Sequence, residues 1–228
     1  MFILTNMNLL KIFVVFTASK EYNHIVKHIL ASITAYLIGS VSFSVIISKL
    51  FIGKDVRTSG SGNAGATNMA RLYGILPGIV TLILDFLKQV LAMLLGRLIA
   101  GETGFCLAGL FCIIGHCFPL FFKFRGGKGV ACAAAAAFLC SWKIGACAVI
   151  VFSLCAVLSR KVSLSSILAC VVAELATLLL NIGRSEALML SAIVVIVILR
   201  HSENITRLLK CREKSFRAAS SKSKKNLH

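Results

Sequence analysis

The stretch Leu72–Ala100 reads LYGILPGIVTLILDFLKQVLAMLLGRLIA, an apolar run whose charged residues are Asp85, Lys88 and Arg97. About 20 apolar residues carry a helix across a bilayer, where every backbone polar group must be satisfied within the segment itself. This run is longer than that, and it belongs to a series. His28–Leu50 precedes it; Phe105–Phe122, Val130–Cys140, Ile144–Leu158, Val162–Ile182 and Ala187–Leu199 follow. The pattern predicts an all-α integral membrane protein, a compact bundle of about seven transmembrane helices with short glycine-rich loops. A five-span version with 130–158 as a re-entrant hairpin has the same sidedness.

Composition points the same way. The chain is 58% hydrophobic over 228 residues, with a mean hydropathy of +0.91. Its 14% charged residues fall well below the roughly 25% usual in soluble domains. A net charge of +17 on a soluble protein would suggest nucleic acid. Here the basic residues lie between and after the apolar runs, which fits topology and anionic membrane lipid and leaves no role for nucleic acid. The loops 49–71, 123–128 and 160–161 and the segment from Arg200 hold most of the 25 Lys and Arg, and all fall on one side of a seven-span bundle. The positive-inside rule makes that side, with the C-terminus, cytoplasmic. All of the nine cysteines but Cys211 lie in apolar runs, without a CxxC pair. That excludes a disulfide framework or zinc site as the organising feature, and no metal or other cofactor is expected. Residues 28–213 form the expected membrane domain. An extension of unassigned role, 1–27, precedes it and a basic tail, 214–228, follows.

Chemistry concentrates in three polar interruptions. The first is Ser59–Arg71, SGSGNAGATNMAR. Glycines bring backbone N–H groups close to an anion, Ser61, Asn63, Thr67 and Asn68 add donors, and Arg71 adds a two-pronged guanidinium. This is a candidate phosphate cradle at a membrane surface. Gly60–Gly65 also fits the GxGxxG dinucleotide fingerprint, but that fingerprint follows a strand, and here a membrane helix precedes it. The second is Gly115–Ala131, GHCFPLFFKFRGGKGVA, in which Lys128 stands among glycines. Two readings fit His116, a substrate contact and a core histidine. The third is Arg200–Leu209, RHSENITRLL, where His201 and Asn204 share a helix face. Histidine titrates near neutrality and can accept a hydroxyl proton. Ser163, just after Arg160 and Lys161 at a helix start, is a further anion ligand candidate. Asp85 and Lys88, three apart inside a span, are expected to pair, whereas Glu174 has no evident partner.

These residues resemble the motifs of the bacterial membrane glycerol-3-phosphate acyltransferases that use acyl-phosphate, the PlsY family. The family patterns SGNxGxTNxxR, GHxFPxFxxFxGGKGVA and HxxNIxRLLxGxE stand here, in order, as Ser61–Arg71, Gly115–Ala131 and His201–Glu213. Cys211 replaces the usual glycine of the third pattern, and Gln89 replaces the glycine that often follows LDxxK. The resemblance implies transfer of an acyl group from a fatty acyl-phosphate to the 1-hydroxyl of glycerol 3-phosphate, giving lysophosphatidic acid and phosphate, at a bacterial inner membrane. It implies that Ser61, Arg71, Lys128, Ser163 and Asn204 hold phosphate groups and that Gly126 and Gly127 present backbone donors. Ser61 and His201 are the candidate catalytic residues, with either His201 or a substrate phosphate taking the proton. Functional coupling to an enzyme that makes acyl-phosphate follows from the same logic. A transporter of phosphorylated molecules would also place cationic loops at a membrane face, but would favour internal repeats, and none is found between the halves. A lipid-binding protein would leave His201, Asn204 and the glycine loops unexplained.

Overall fold

The computed structural model describes residues 23–217. Most of the expected N-terminal extension and basic tail lies outside these residues. The described chain is helical: α1 (23–39), α2 (Phe43–Ile52), α3 (Ala66–Tyr73), α4 (Ile75–Cys117), α5 (Val130–Cys140), α6 (Trp142–Ser159), α7 (Val162–Leu179), α8 (Arg184–Leu199) and α9 (Ser202–Leu209). The expected all-helical membrane bundle is the one observed.

The apolar segments appear in the expected order, with three differences at their ends and joints. The first, Asn23–Ile52, is interrupted at Ser40–Ser42, where the backbone leaves the helix before α2 begins. Lys88 Nζ donates to the freed Val41 carbonyl at 2.7 Å. The second begins at Ile75 rather than Leu72, because Gly74 at φ 100° ends the short helix α3 that carries Thr67, Asn68 and Arg71. The third difference is the hairpin between the second and third segments. A loop at 101–104 is expected, yet only Ala100 and Gly101 leave helical geometry. Gly101 adopts φ 64°, open to a residue without Cβ, and the chain reverses there. Gln89 then donates to the Gly109 carbonyl and Cys112 Sγ to that of Lys88, so the two arms of α4 run antiparallel.

Among the described residues, four helical stretches are long and apolar enough to cross a membrane, or five if the bent pair α8–α9 counts as one. Helix α5 has 11 residues, about 16 Å at 1.5 Å per residue, against about 27 Å for the 18-residue α6 beside it. In the loop ahead of α5, Gly126, Gly127 and Gly129 are buried and Lys128 among them is half-buried.

Inside the bundle, α4, α5, α7 and α8 meet over Met93, Phe105, Ile113, Cys132, Ala136, Cys170, Leu190 and Ile193. Lipid gives no hydrophobic reward for helix association, so small residues that allow close packing are favoured. The cysteines are free, and most are buried in this role. Glu174 has a partner after all: Ser191 Oγ on α8 donates to its Oε1 at 2.6 Å.

Candidate active site

Helix α3 supplies the first wall of the site. Its Asn68 is buried, and both ends of the amide are committed to the loop before it. Asn68 Oδ1 accepts the Ser61 N–H at 3.0 Å, and Nδ2 donates to the carbonyls of Val56 and Ser59. Asn68 thus shapes the cradle, and both of its amide hydrogens are taken by the chain itself in this structure. Ser61 is exposed, and Asn63, Thr67 and Arg71 are part-buried beside it.

Arg57 joins this loop to the second one. Its guanidinium is held by Asp55 at 2.8 Å and donates to the carbonyls of Phe122 and Arg125. That guanidinium, by hydrogen bond and charge, lowers the Asp55 carboxyl to about 2. Behind the second loop, the Gly126 N–H donates to the Cys117 carbonyl and the Gly127 N–H to the His116 carbonyl. In this structure both N–H groups, expected to face substrate, are taken by the chain itself. The glycines serve close packing: a Cβ on Gly127 would meet His116 Nε2, and one on Gly126 would meet the His116 carbonyl.

The third wall comes from α7, α9 and the chain that follows α9. Lys128 Nζ donates to Asn204 Oδ1. Asn204 Nδ2 and Ser163 Oγ both donate to Glu213 Oε1, at 2.7 and 2.6 Å, while Arg207 Nε donates to Oε2 at 2.8 Å. Ser163 and Asn204, expected to grip phosphate, here grip a carboxylate, an anion of the same kind. Burial acts to raise the Glu213 carboxyl, but these three donors prevail and hold it below its usual range. Burial, with repulsion from Arg207 and Arg200, pushes the Lys128 ammonium down to about 8. Cys211 turns the chain toward Glu213 at φ 52°, the left-handed conformation a glycine would take there without strain.

His201 is 2% exposed, and its Nδ1 lies 2.7 Å from the Val197 carbonyl. A carbonyl only accepts, so Nδ1 carries the proton and the neutral ring keeps Nε2 as an acceptor. Within the membrane, Asp85 pairs with Lys88 at 2.9 Å, as expected, and His116 Nδ1 lies 3.5 Å from the same carboxylate oxygen.

One cavity of about 780 Å³ unites these parts. Ser61, Asn63, Thr67, Asn68, Arg71, His116, Lys128, Ser163, His201 and Asn204 all line it, whereas Gly126 and Gly127 do not. Away from the polar groups it continues between α5, α6, α7 and α8 along Ala137, Phe138, Phe152, Ala173 and Leu190. The sequence reading missed the roles of Arg57, Arg207 and Glu213. The last two are themselves matched positions of the third motif, so the motif was the available signal.

Comparison with known proteins agrees with this geometry. A family model described as glycerol-3-phosphate acyltransferase matches residues 29–211. The chain is 38% identical over 184 residues to a glycerol-3-phosphate acyltransferase of Jannaschia sp. (strain CCS1), covering 81% of this chain and 90% of that one. It is 42% identical over 183 residues to glycerol-3-phosphate acyltransferase 2 of Bacillus anthracis, covering 80% and 95%. Among solved structures it is similar to PlsY (YgiH), an integral membrane glycerol 3-phosphate acyltransferase, in its glycerol 3-phosphate form. That match has a TM-score of 0.79 and 38% identity, over 83% of this chain and 96% of the other. The lysophosphatidic acid form of PlsY matches with a TM-score of 0.76 and 35% identity, over 83% and 95%.

Proposed function

Since the chain belongs to the glycerol-3-phosphate acyltransferase family, we propose that it acylates the 1-hydroxyl of sn-glycerol 3-phosphate with a fatty acyl-phosphate as donor. The products are lysophosphatidic acid and inorganic phosphate, the first acylation of phospholipid synthesis. The observation that carries this reading is a cavity with a cationic, hydroxyl-rich end and an apolar groove. A phosphate and a fatty chain both fit that division, and they are the two halves of the donor and of the product.

The acyl-phosphate carbonyl is already activated, so the protein has mainly to align two anions and offset their charge. Ser61, Arg71, Lys128, Ser163 and Asn204 hold the phosphates, with Asn63 and Thr67 beside them. Phosphate reaches Ser163 and Asn204 by displacing Glu213 or by joining it through Lys128. The glycerol oxygen attacks the carbonyl carbon, the bond from that carbon to the phosphate oxygen breaks, and the hydroxyl proton ends on the released phosphate. Nε2 of His201 is the acceptor the protein offers on that path. The apolar product leaves sideways into the bilayer. The site faces the cytoplasm of a bacterial inner membrane, where an enzyme that makes acyl-phosphate can feed it.

Purified protein should be offered labelled glycerol 3-phosphate with palmitoyl-phosphate, acyl-CoA or acyl-carrier protein in parallel. Lysophosphatidic acid from the acyl-phosphate alone, with phosphate released, is the expected result. Product from acyl-CoA would overturn the donor, and no product from folded protein would turn attention to transport.

A further inference from the structure

The intramembrane charges have a role beyond neutralising one another. Asp85, Lys88 and His116 are 3%, 4% and 7% exposed. An Asp–Lys pair three residues apart on one helix is complete without a third member. Yet His116, from the other arm of α4, brings Nδ1 to 3.5 Å from Asp85 Oδ1, a buried oxygen that makes no hydrogen bond. Cys132 Sγ on α5 donates to the Asp85 backbone carbonyl at 3.4 Å, which ties the start of α5 to the same level. Lys88 is anchored in turn on the Val41 carbonyl.

The opposite edge of the imidazole abuts the second glycine loop. His116 Nε2 lies where a side chain on Gly127 would have to go. The Gly127 N–H donates to the His116 carbonyl at 3.1 Å, and the Gly127 carbonyl accepts from Arg200 Nε at 3.2 Å. Gly127 is therefore clamped on three sides, immediately before Lys128.

We propose that Asp85 and His116 are positioning residues for Lys128. The carboxylate sets the imidazole, the imidazole sets Gly127, and Gly127 sets the ammonium that meets substrate phosphate. A ring turned away from Asp85 would either vacate the space under Gly127 or press into it, and the flexible lysine next in the chain would lose its direction. This rests on the reading of the site as a glycerol 3-phosphate site.

The test compares two charge-free double variants that share one change. Asp85→Asn with Lys88→Gln keeps an acceptor for His116, and Asp85→Leu with Lys88→Gln removes it. The change at Lys88 is common to both, so loss of its charge cannot by itself separate them. The readouts are the Kd for glycerol 3-phosphate by calorimetry, KM and kcat with palmitoyl-phosphate, and melting temperature. The double variant with Asp85→Asn should keep Kd and KM within about threefold of wild type. The one with Asp85→Leu should raise both at least tenfold with kcat changed less. A merely structural role would lower the folded fraction, and hence apparent kcat, in both variants without separating their KM. Equal KM and Kd in the two doubles would overturn the proposal. If either double fails to fold, His116→Leu decides, made in wild type and in Lys128→Ala: a tenfold rise in Kd that vanishes without Lys128 supports the proposal, and an unchanged Kd, or the same rise in both backgrounds, overturns it. Calorimetry needs no turnover. Wild type that binds glycerol 3-phosphate but transfers no acyl group would count against the reaction and leave this comparison standing, whereas wild type that does not bind would overturn both.

Discussion

Lys128 is held between two demands. Burial disfavours its charge, and the nearby Glu213 only partly offsets the repulsion from Arg207 and Arg200. With its ammonium lowered to about 8 in the free protein, the cradle loses charge as pH rises past that value. In the free enzyme kcat/KM for glycerol 3-phosphate should therefore fall above about pH 8, by up to roughly tenfold per unit. Lys128→Arg, which stays protonated, should remove that limb even if it lowers the plateau. A pH profile from about 7 to about 10 checks this, and an identical limb in the Lys128→Arg variant would assign the titration elsewhere. Arg71 makes no hydrogen bond or ion pair within the described residues and lines the cavity, which leaves its fork available to phosphate. Loss of a charged partner costs about 2–5 kcal/mol, so Arg71→Ala should lower kcat/KM by about two orders of magnitude while the protein still extracts folded. At His201 the effect should lie in turnover. His201→Ala is expected to reduce kcat by about 10²–10⁴, as for a lost acid–base group, with the Kd for glycerol 3-phosphate changed far less. Unchanged turnover would make His201 a packing residue.

The glycine loops are not independent elements. Arg57 bonds the carbonyls of Phe122 and Arg125 from the first loop, and Arg200 bonds Gly127 from the end of α8. The second loop takes its course from the end of α4, whose His116 and Cys117 carbonyls accept its glycine N–H groups. Arg57→Ala removes several charge-assisted hydrogen bonds, each of about 1.5–3 kcal/mol where buried, and less here because the side chain is 15% exposed. The expected outcome is a drop in thermal stability together with a several-fold rise in KM for glycerol 3-phosphate. A stability loss with KM unchanged would show that the two loops hold their positions separately. The third element, α9 with the chain to Glu213, is closed by one carboxylate shared between α7 and α9. It is also fastened by the Phe216 N–H on the Arg160 carbonyl.

At the scale of the molecule, the helices divide one cavity into a wet end and an oily one. Polar groups sit where α3, the glycine loop and α9 converge, and the groove beyond is walled largely by alanines and phenylalanines. Ala173 on α7 stands in that groove, among its apolar lining. Ala173→Phe should shorten the acyl chain the enzyme accepts, so that rates with long acyl-phosphates fall at least tenfold relative to short ones. KM for glycerol 3-phosphate should hardly change. Parallel assays over a series of chain lengths check this, and an equal loss at every length would place the acyl chain elsewhere.

Apolar length and the spacing of polar interruptions were enough to define a helical membrane protein, the order of its segments and the motif residues that line the cavity. These properties are local: a run of apolar residues must hide its backbone in a helix, and a glycine-rich cationic loop suits an anion wherever it lies. The sequence also marked Asp85 and Lys88 as a pair, since intramembrane charge seldom stands alone. It did not reveal that His116 joins them, that Asn68 and the Gly126 and Gly127 amides are consumed by the chain itself, or that Glu213 closes the site. Each of those depends on which distant groups meet: residue 116 with 85, 68 with 56 and 59, 127 with 116, and 213 with 163. Hydrogen-bonding capacity is written in residue type, but whether it is spent on the protein or left for a ligand is settled only by the packing of the helices.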